Sequence, residues 1–132
     1  MTQGEVHFDR TATVSITIRG FSGANDKTIV AVIDTGFDRF LSLPMEWVTG
    51  LRLAFLGRGE SVLFGGSVAE FDIYAAIVEI AGEERGIIVF AAENPPLIGM
   101  SLLYGLKLTV EVVDGGMVVI EPLPFEPIVE TT

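Results

Sequence analysis

Short Val- and Ile-rich stretches follow one another along this chain, each closed by a glycine-bearing turn, and almost nothing repeats at helical spacing over ten residues or more. Period-two alternation broken by turn residues specifies strands, which constrains the chain to an all-β fold with one or two short helices. From Ala12 to Ile18, Val14, Ile16 and Ile18 alternate with Thr13, Ser15 and Thr17, the pattern of a half-buried strand. Thr28 to Ile33 is apolar on both faces, as in a central strand. Pro44 suits the first turn of a short helix reaching about Leu51. Leu53 to Leu56 and Glu60 to Phe64 flank Gly57-Arg58-Gly59 as a hairpin. Gly65-Gly66 then separates Phe64 from Val68 to Ile80, which carries Ala69, Phe71, Ile73, Ala75 and Ile77 on one face of a second, projecting hairpin. Ile87 to Phe90 follows a turn over 82–86, and Ser101 to Tyr104 makes a helical turn or two that Gly105 stops. Asp114-Gly115-Gly116 joins Leu108 to Val113 with Met117 to Ile120. The 132 residues suit one domain over 1–121, followed by an extended Pro-rich tail over 122–132.

Composition removes most chemistries. The chain has no Cys and one His, His7, so thiolate metal sites, a cysteine nucleophile and a histidine-built metal site are excluded, and no metal or other cofactor is expected. Carboxylates are abundant, 18 Asp plus Glu against 8 Lys plus Arg, and they are the acid-base groups available. A net charge of −10 disfavours nucleic acid and anionic membranes as partners. The longest stretch without a charge, Asn94 to Leu106, is too short and too broken by Pro and Gly to span a bilayer. The first residues lack a basic start followed by an apolar run, which predicts a cytoplasmic location. Gly57-Arg58-Gly59 opens like a dinucleotide fingerprint but has Val62 where the third glycine belongs.

The candidate for chemistry is Ile33-Asp34-Thr35-Gly36. Asp34 ends a central apolar strand, where it is rigidly held and loses part of its hydration. Thr35 can brace the loop through its hydroxyl, and Gly36 lets a substrate backbone approach closely. A carboxylate so placed can act as a general base toward water, but peptide hydrolysis also needs an acid.

Apolar strand, Asp34-Thr35-Gly36, Leu41-Ser42-Leu43-Pro44, a glycine-tipped hairpin and Leu97-Ile98-Gly99 before a short helix together resemble the retropepsin-like aspartic proteases. The likeness is to small bacterial and archaeal members with signatures of the type DTGF…L.LP and LLGM.LL, and it extends over about residues 12–120. The resemblance implies a single-lobe closed β-barrel with a flap hairpin, working as a homodimer on a peptide or protein substrate. It makes Asp34 the catalytic aspartate, Thr35 the residue bonding across to the partner loop, and Gly36 a cleft-lining residue. Gly65 and Gly66 match the flap tip that closes over bound peptide, Phe64 beside them is an aromatic placed to touch substrate, and Gly99 matches the glycine packed beneath the catalytic loop. Two such aspartates about 3 Å apart share one proton. One then activates water while the other protonates the carbonyl. The implied activity is that of an aspartic endopeptidase; the alternative is a catalytically silent peptide-binding or assembly module on the same β fold.

The pattern departs from the viral members at two places. Phe37 stands where they have a small residue. Met100-Ser101 replaces the basic residue and its polar neighbour after the glycine, which leaves Asp38 to Arg39 or another cation. Two chains of −10 also repel one another at low salt.

Overall fold

The structure, a computed structural model, describes residues 1–22, 26–62 and 65–127. In chain order these form β1 (Thr2–Val6), β2 (Ala12–Arg19), β3 (Lys27–Ile33), β4 (Leu41–Leu43), α1 (Met45–Gly50), β5 (Ala54–Val62), β6 (Val68–Ile80), β7 (Glu83–Ala91), β8 (Leu97–Ile98), α2 (Met100–Leu103), β9 (Leu106–Val110) and β10 (Met117–Pro122). Strands run in the order β5-β6-β7-β4-β8-β3-β2-β1-β10-β9. A further pairing of Thr17 to Arg19 with Ile77 to Glu79 joins β2 back to β6, closing β6, β7, β4, β8, β3 and β2 into a six-stranded barrel. The protein is therefore mostly β, with two short helices among the described residues.

Period two sets what fills the barrel. Val14, Ile16 and Ile18 of β2, Ile29 and Ala31 of β3, and Leu41 and Leu43 of β4 are all buried in one core. β6 runs opposite to a simple reading of its apolar residues. Tyr74, Ala76, Val78 and Ile80 face the core, while Phe71 and Ile73 lie on the other face. Both faces of β6 are apolar, so composition alone does not decide which is inside. β3 is central in the sheet, yet its outward face is open and Val30 is exposed.

Two local expectations are corrected. The expected hairpin at Gly57-Arg58-Gly59 is absent, because β5 runs continuously from Ala54 to Val62 beside β6. Gly57, at φ +132, absorbs a register slip between Phe55 and Gly57, which is a bulge rather than a turn. Arg58 faces Glu70 and Asp72 across the strands at 3.7 and 3.5 Å and favours the pairing. The next turn is tighter than expected, with Ala81 (φ +52) and Gly82 (φ +80) at the corner. Glu83 and Glu84 therefore belong to β7, where Glu84 pairs with Arg19. A strand the sequence pattern does not single out, β1, sits between β2 and β10, and just after it His7 Nε2 lies 2.7 Å from Thr13 Oγ1. In the turn after β1 the Thr11 hydroxyl and amide both donate to Asp9, which holds its carboxyl below the usual range. Residues 123–127 of the tail carry no regular element, and 128–132 fall outside the described residues.

The short α2 is held from outside. Arg85 Nη1 donates to the carbonyls of Leu102 (2.7 Å) and Tyr104 (2.8 Å), while Glu83 fixes the same guanidinium. Hydrogen bonds from a charged donor to helix-end carbonyls are among the stronger ones. Arg85→Ala is expected to cost about 1–3 kcal/mol, read as a lower urea midpoint at unchanged slope.

Candidate active site

β3 ends in parallel with β8, where Val32 is in register with Leu97 and Ile33 with Ile98. The next residue is held by the same neighbour, since the Asp34 amide donates to the Ile98 carbonyl at 2.9 Å. The chain then turns, Phe37 N donating to Asp34 O at 3.1 Å. Within this turn the Gly36 amide donates to Asp34 Oδ1 at 3.0 Å, which orients the carboxylate. Asp34 is half-buried, and Thr35 and Gly36 are exposed beside it.

Residues 37–40 rest on the start of α2. Met100 N donates to Phe37 O (2.8 Å), Gly99 N to Phe40 O (3.0 Å) and Ser101 N to Arg39 O (3.2 Å), and the Ser101 hydroxyl donates to Asp38 O (2.6 Å). Gly99 is required here by close approach: a Cβ at this position would run into the Arg39 carbonyl oxygen and lie 2.7 Å from both Phe37 O and Phe37 Cδ2. Ser101, where the family resemblance calls for a charged or amide side chain, thus supplies a hydroxyl that binds the loop backbone.

Arg39 does approach Asp38, at 3.6 Å, but both side chains are largely exposed and such a pair contributes about 0–1 kcal/mol. Its firmer contacts are with the β5–β6 hairpin and the barrel wall. Arg39 Nη2 donates to Glu60 O at 2.9 Å, and the guanidinium carbon lies 5.9 Å from the centre of the Phe90 ring. Loop and hairpin are tied together by this one side chain.

Between them lies a groove of about 460 Å³ that contains Asp34. Gly36 and Phe37 come from the loop, Ser42 from β4, Ser61 and Val62 from β5, Phe71 from β6, Phe90 from β7, and Ala92, Asn94 and Leu97 from the segment leading into β8. Phe90 meets Phe37 edge-on at 6.2 Å and Phe71 at 5.7 Å, so three rings form one wall. The volume falls in the range of small-ligand sites, and a peptide side chain fits within it.

Asp34, Gly36 and Gly99 therefore converge on one place. Gly65 and Gly66 stand in the exposed turn between β5 and β6, at φ +94 and +89, which suits glycine; they do not line the groove. Phe64 lies outside the described residues. Trp47 packs against the core. Among the described residues no group of three or more His, Cys, Asp or Glu could hold a metal ion. No helix there is long and apolar enough to cross a membrane.

The sequence reading missed Ser42, Ser61, Phe71, Phe90, Asn94 and Leu97 as groove residues. One signal was available for Ser42, a polar residue within Leu-Ser-Leu, but the cross-strand neighbours that make it part of a site depend on register. Comparison of the chain with protein-family models, with curated proteins and with solved structures finds no match.

Proposed function

We propose that the chain is an aspartic endopeptidase that hydrolyses peptide bonds with water activated by two Asp34 carboxylates, one from each copy of a homodimer. The observation that carries this reading is the Asp34 carboxylate itself, oriented by the Gly36 amide at the edge of an aromatic groove of side-chain size. It is the only carboxylate among the described residues lining that groove, so the acid that peptide hydrolysis requires is assigned to a second copy. Two carboxylates about 3 Å apart hold one proton between them.

In the reaction, the ionised aspartate takes a proton from water as the oxygen attacks the scissile carbonyl. The protonated partner gives its proton to the carbonyl oxygen, producing a neutral gem-diol. Collapse returns a proton to the nitrogen, breaks the C–N bond and restores the shared proton. The β5–β6 hairpin, with Gly65 and Gly66 at its turn, is the element suited to cover bound peptide, and Arg39 joins it to the loop. No cofactor enters this chemistry.

A peptide isostere with a hydroxymethylene group in place of the scissile carbonyl tests the proposal, because its hydroxyl occupies the position of the attacked carbonyl or attacking water. It should bind at least about 100-fold more tightly than the matched peptide, with one inhibitor per two chains by calorimetry. Equal affinities, with no cleavage of the peptide, would assign the groove to a silent peptide-binding module instead.

A further inference from the structure

Within the groove, one buried side-chain polar atom is unpaired among the described residues. Ser42 sits in β4 between Leu41 and Leu43, whose side chains are in the core, so period two turns Ser42 the other way. Its register partners are Phe90 on β7 and Leu97 on β8, both of which line the same groove. A serine between a phenylalanine and a leucine in one row makes a recess with tall apolar walls and a hydroxyl at its base. Ser42 is 4% exposed, and its Oγ has no hydrogen-bond partner. Buried hydroxyls are nearly always paired, so one facing into a groove points to a ligand atom.

We infer that Ser42 is a specificity-determining residue whose recess takes the phenol of a substrate tyrosine. This deepens the protease proposal and rests on its reading of the groove as a peptide cleft. Phe37 already packs edge to face on Phe90 and Phe71 lies tilted against the same ring, and a fourth flat ring extends that cluster. Small polar side chains are too short to reach past the rings, and among the described residues no cation lines the groove to welcome a carboxylate. Phenylalanine fills the walls but leaves the hydroxyl unpaired. Tyrosine fills them and pairs it, after a small side-chain adjustment that opens the recess to the guest.

The experiment titrates N-acetyl-tyrosine amide and N-acetyl-phenylalanine amide into the wild-type chain and Ser42→Ala, following the backbone amide NMR signals of Phe71, Phe90 and Leu97. The tyrosine amide should bind about 3- to 10-fold more tightly to the wild type, the increment of one neutral hydrogen bond, and the ratio should fall to about 1 in Ser42→Ala. Because the substitution removes an unpaired buried hydroxyl, the urea midpoint of Ser42→Ala should be unchanged or raised. Equal affinities in the wild type, a preference that survives the substitution, no shifts with either amide at millimolar concentration, or a lowered midpoint would each overturn the inference. Binding of these amides needs no peptide cleavage, so the two proposals fail separately. A Ser42-dependent tyrosine preference without cleavage of any peptide overturns only catalysis. Cleavage whose Tyr/Phe preference is the same in Ser42→Ala overturns only the role of Ser42.

Discussion

Asp34→Asn is expected to lower peptide cleavage by at least about three orders of magnitude while leaving the fold in place. Asparagine has the same shape, and its side-chain carbonyl can still accept the Gly36 amide that now bonds Asp34 Oδ1 at 3.0 Å. The Asp34 backbone amide, bonded to Ile98 O, is untouched by the change. What is lost is the group that takes a proton from water, and in a homodimer it is lost from both sides of the dyad at once. The comparison calls for a fluorogenic peptide digest beside circular dichroism and sedimentation of the same sample. Cleavage within tenfold of wild type, by a folded variant free of contaminating protease, would remove Asp34 from the mechanism.

The second large effect is structural and sits beneath the first. Gly99→Ala places a methyl group against the Arg39 carbonyl and Phe37, where backbone rather than a movable side-chain tip stands in the way. Either the loop lifts or α2 moves, and the bonds from Gly99 N to Phe40 O and Met100 N to Phe37 O are broken. A loss of about 3–5 kcal/mol is expected, near the upper end for single substitutions, with no activity from the fraction that folds. Gly50→Ala is the matching control. A Cβ there meets nothing within 4 Å at the end of α1, so the change should be neutral or stabilising by about 0.5–1 kcal/mol in urea denaturation. Equal midpoints for the two variants would show that the loop does not depend on this close contact.

Much of the strand content was legible because it rests on period two. Val14, Ile16 and Ile18 face the core as their alternation requires, and Pro44 and Gly105 bound short helices where their backbone preferences place them. Gly57 misled for a physical reason: a glycine inside a strand pattern fits a turn and a bulge equally, and the choice rests on the pairing of β5 with β6 from Ala54↔Ala75 to Val62↔Val68, which a local pattern does not contain. The inward face of β6 was illegible because Phe71 and Ile73 on the outward side are as apolar as Tyr74 and Ala76 on the inward one. Of the candidate site, Asp34, Gly36 and Gly99 could be named from short motifs. Ser42 and Phe90 could not be joined without register, since β4 and β7 are parallel neighbours brought together by the barrel.

The loop that presents Asp34 also ties the site to the order in which the chain becomes structured. Asp38 and Ser101, which hydrogen-bond to each other, are 63 positions apart, and the Asp34 amide waits on Ile98 from the same distant segment. Contacts of such separation form late, because a long intervening stretch must first be brought to order. During synthesis, the residues up to the β5–β6 hairpin leave the ribosome with the aspartate present but without Ile98 to Ser101, which support its loop. The groove is complete only once Phe90, Ala92, Asn94 and Leu97 have joined the residues of β3 to β6 that line it, so its assembly depends on segments far apart in the chain.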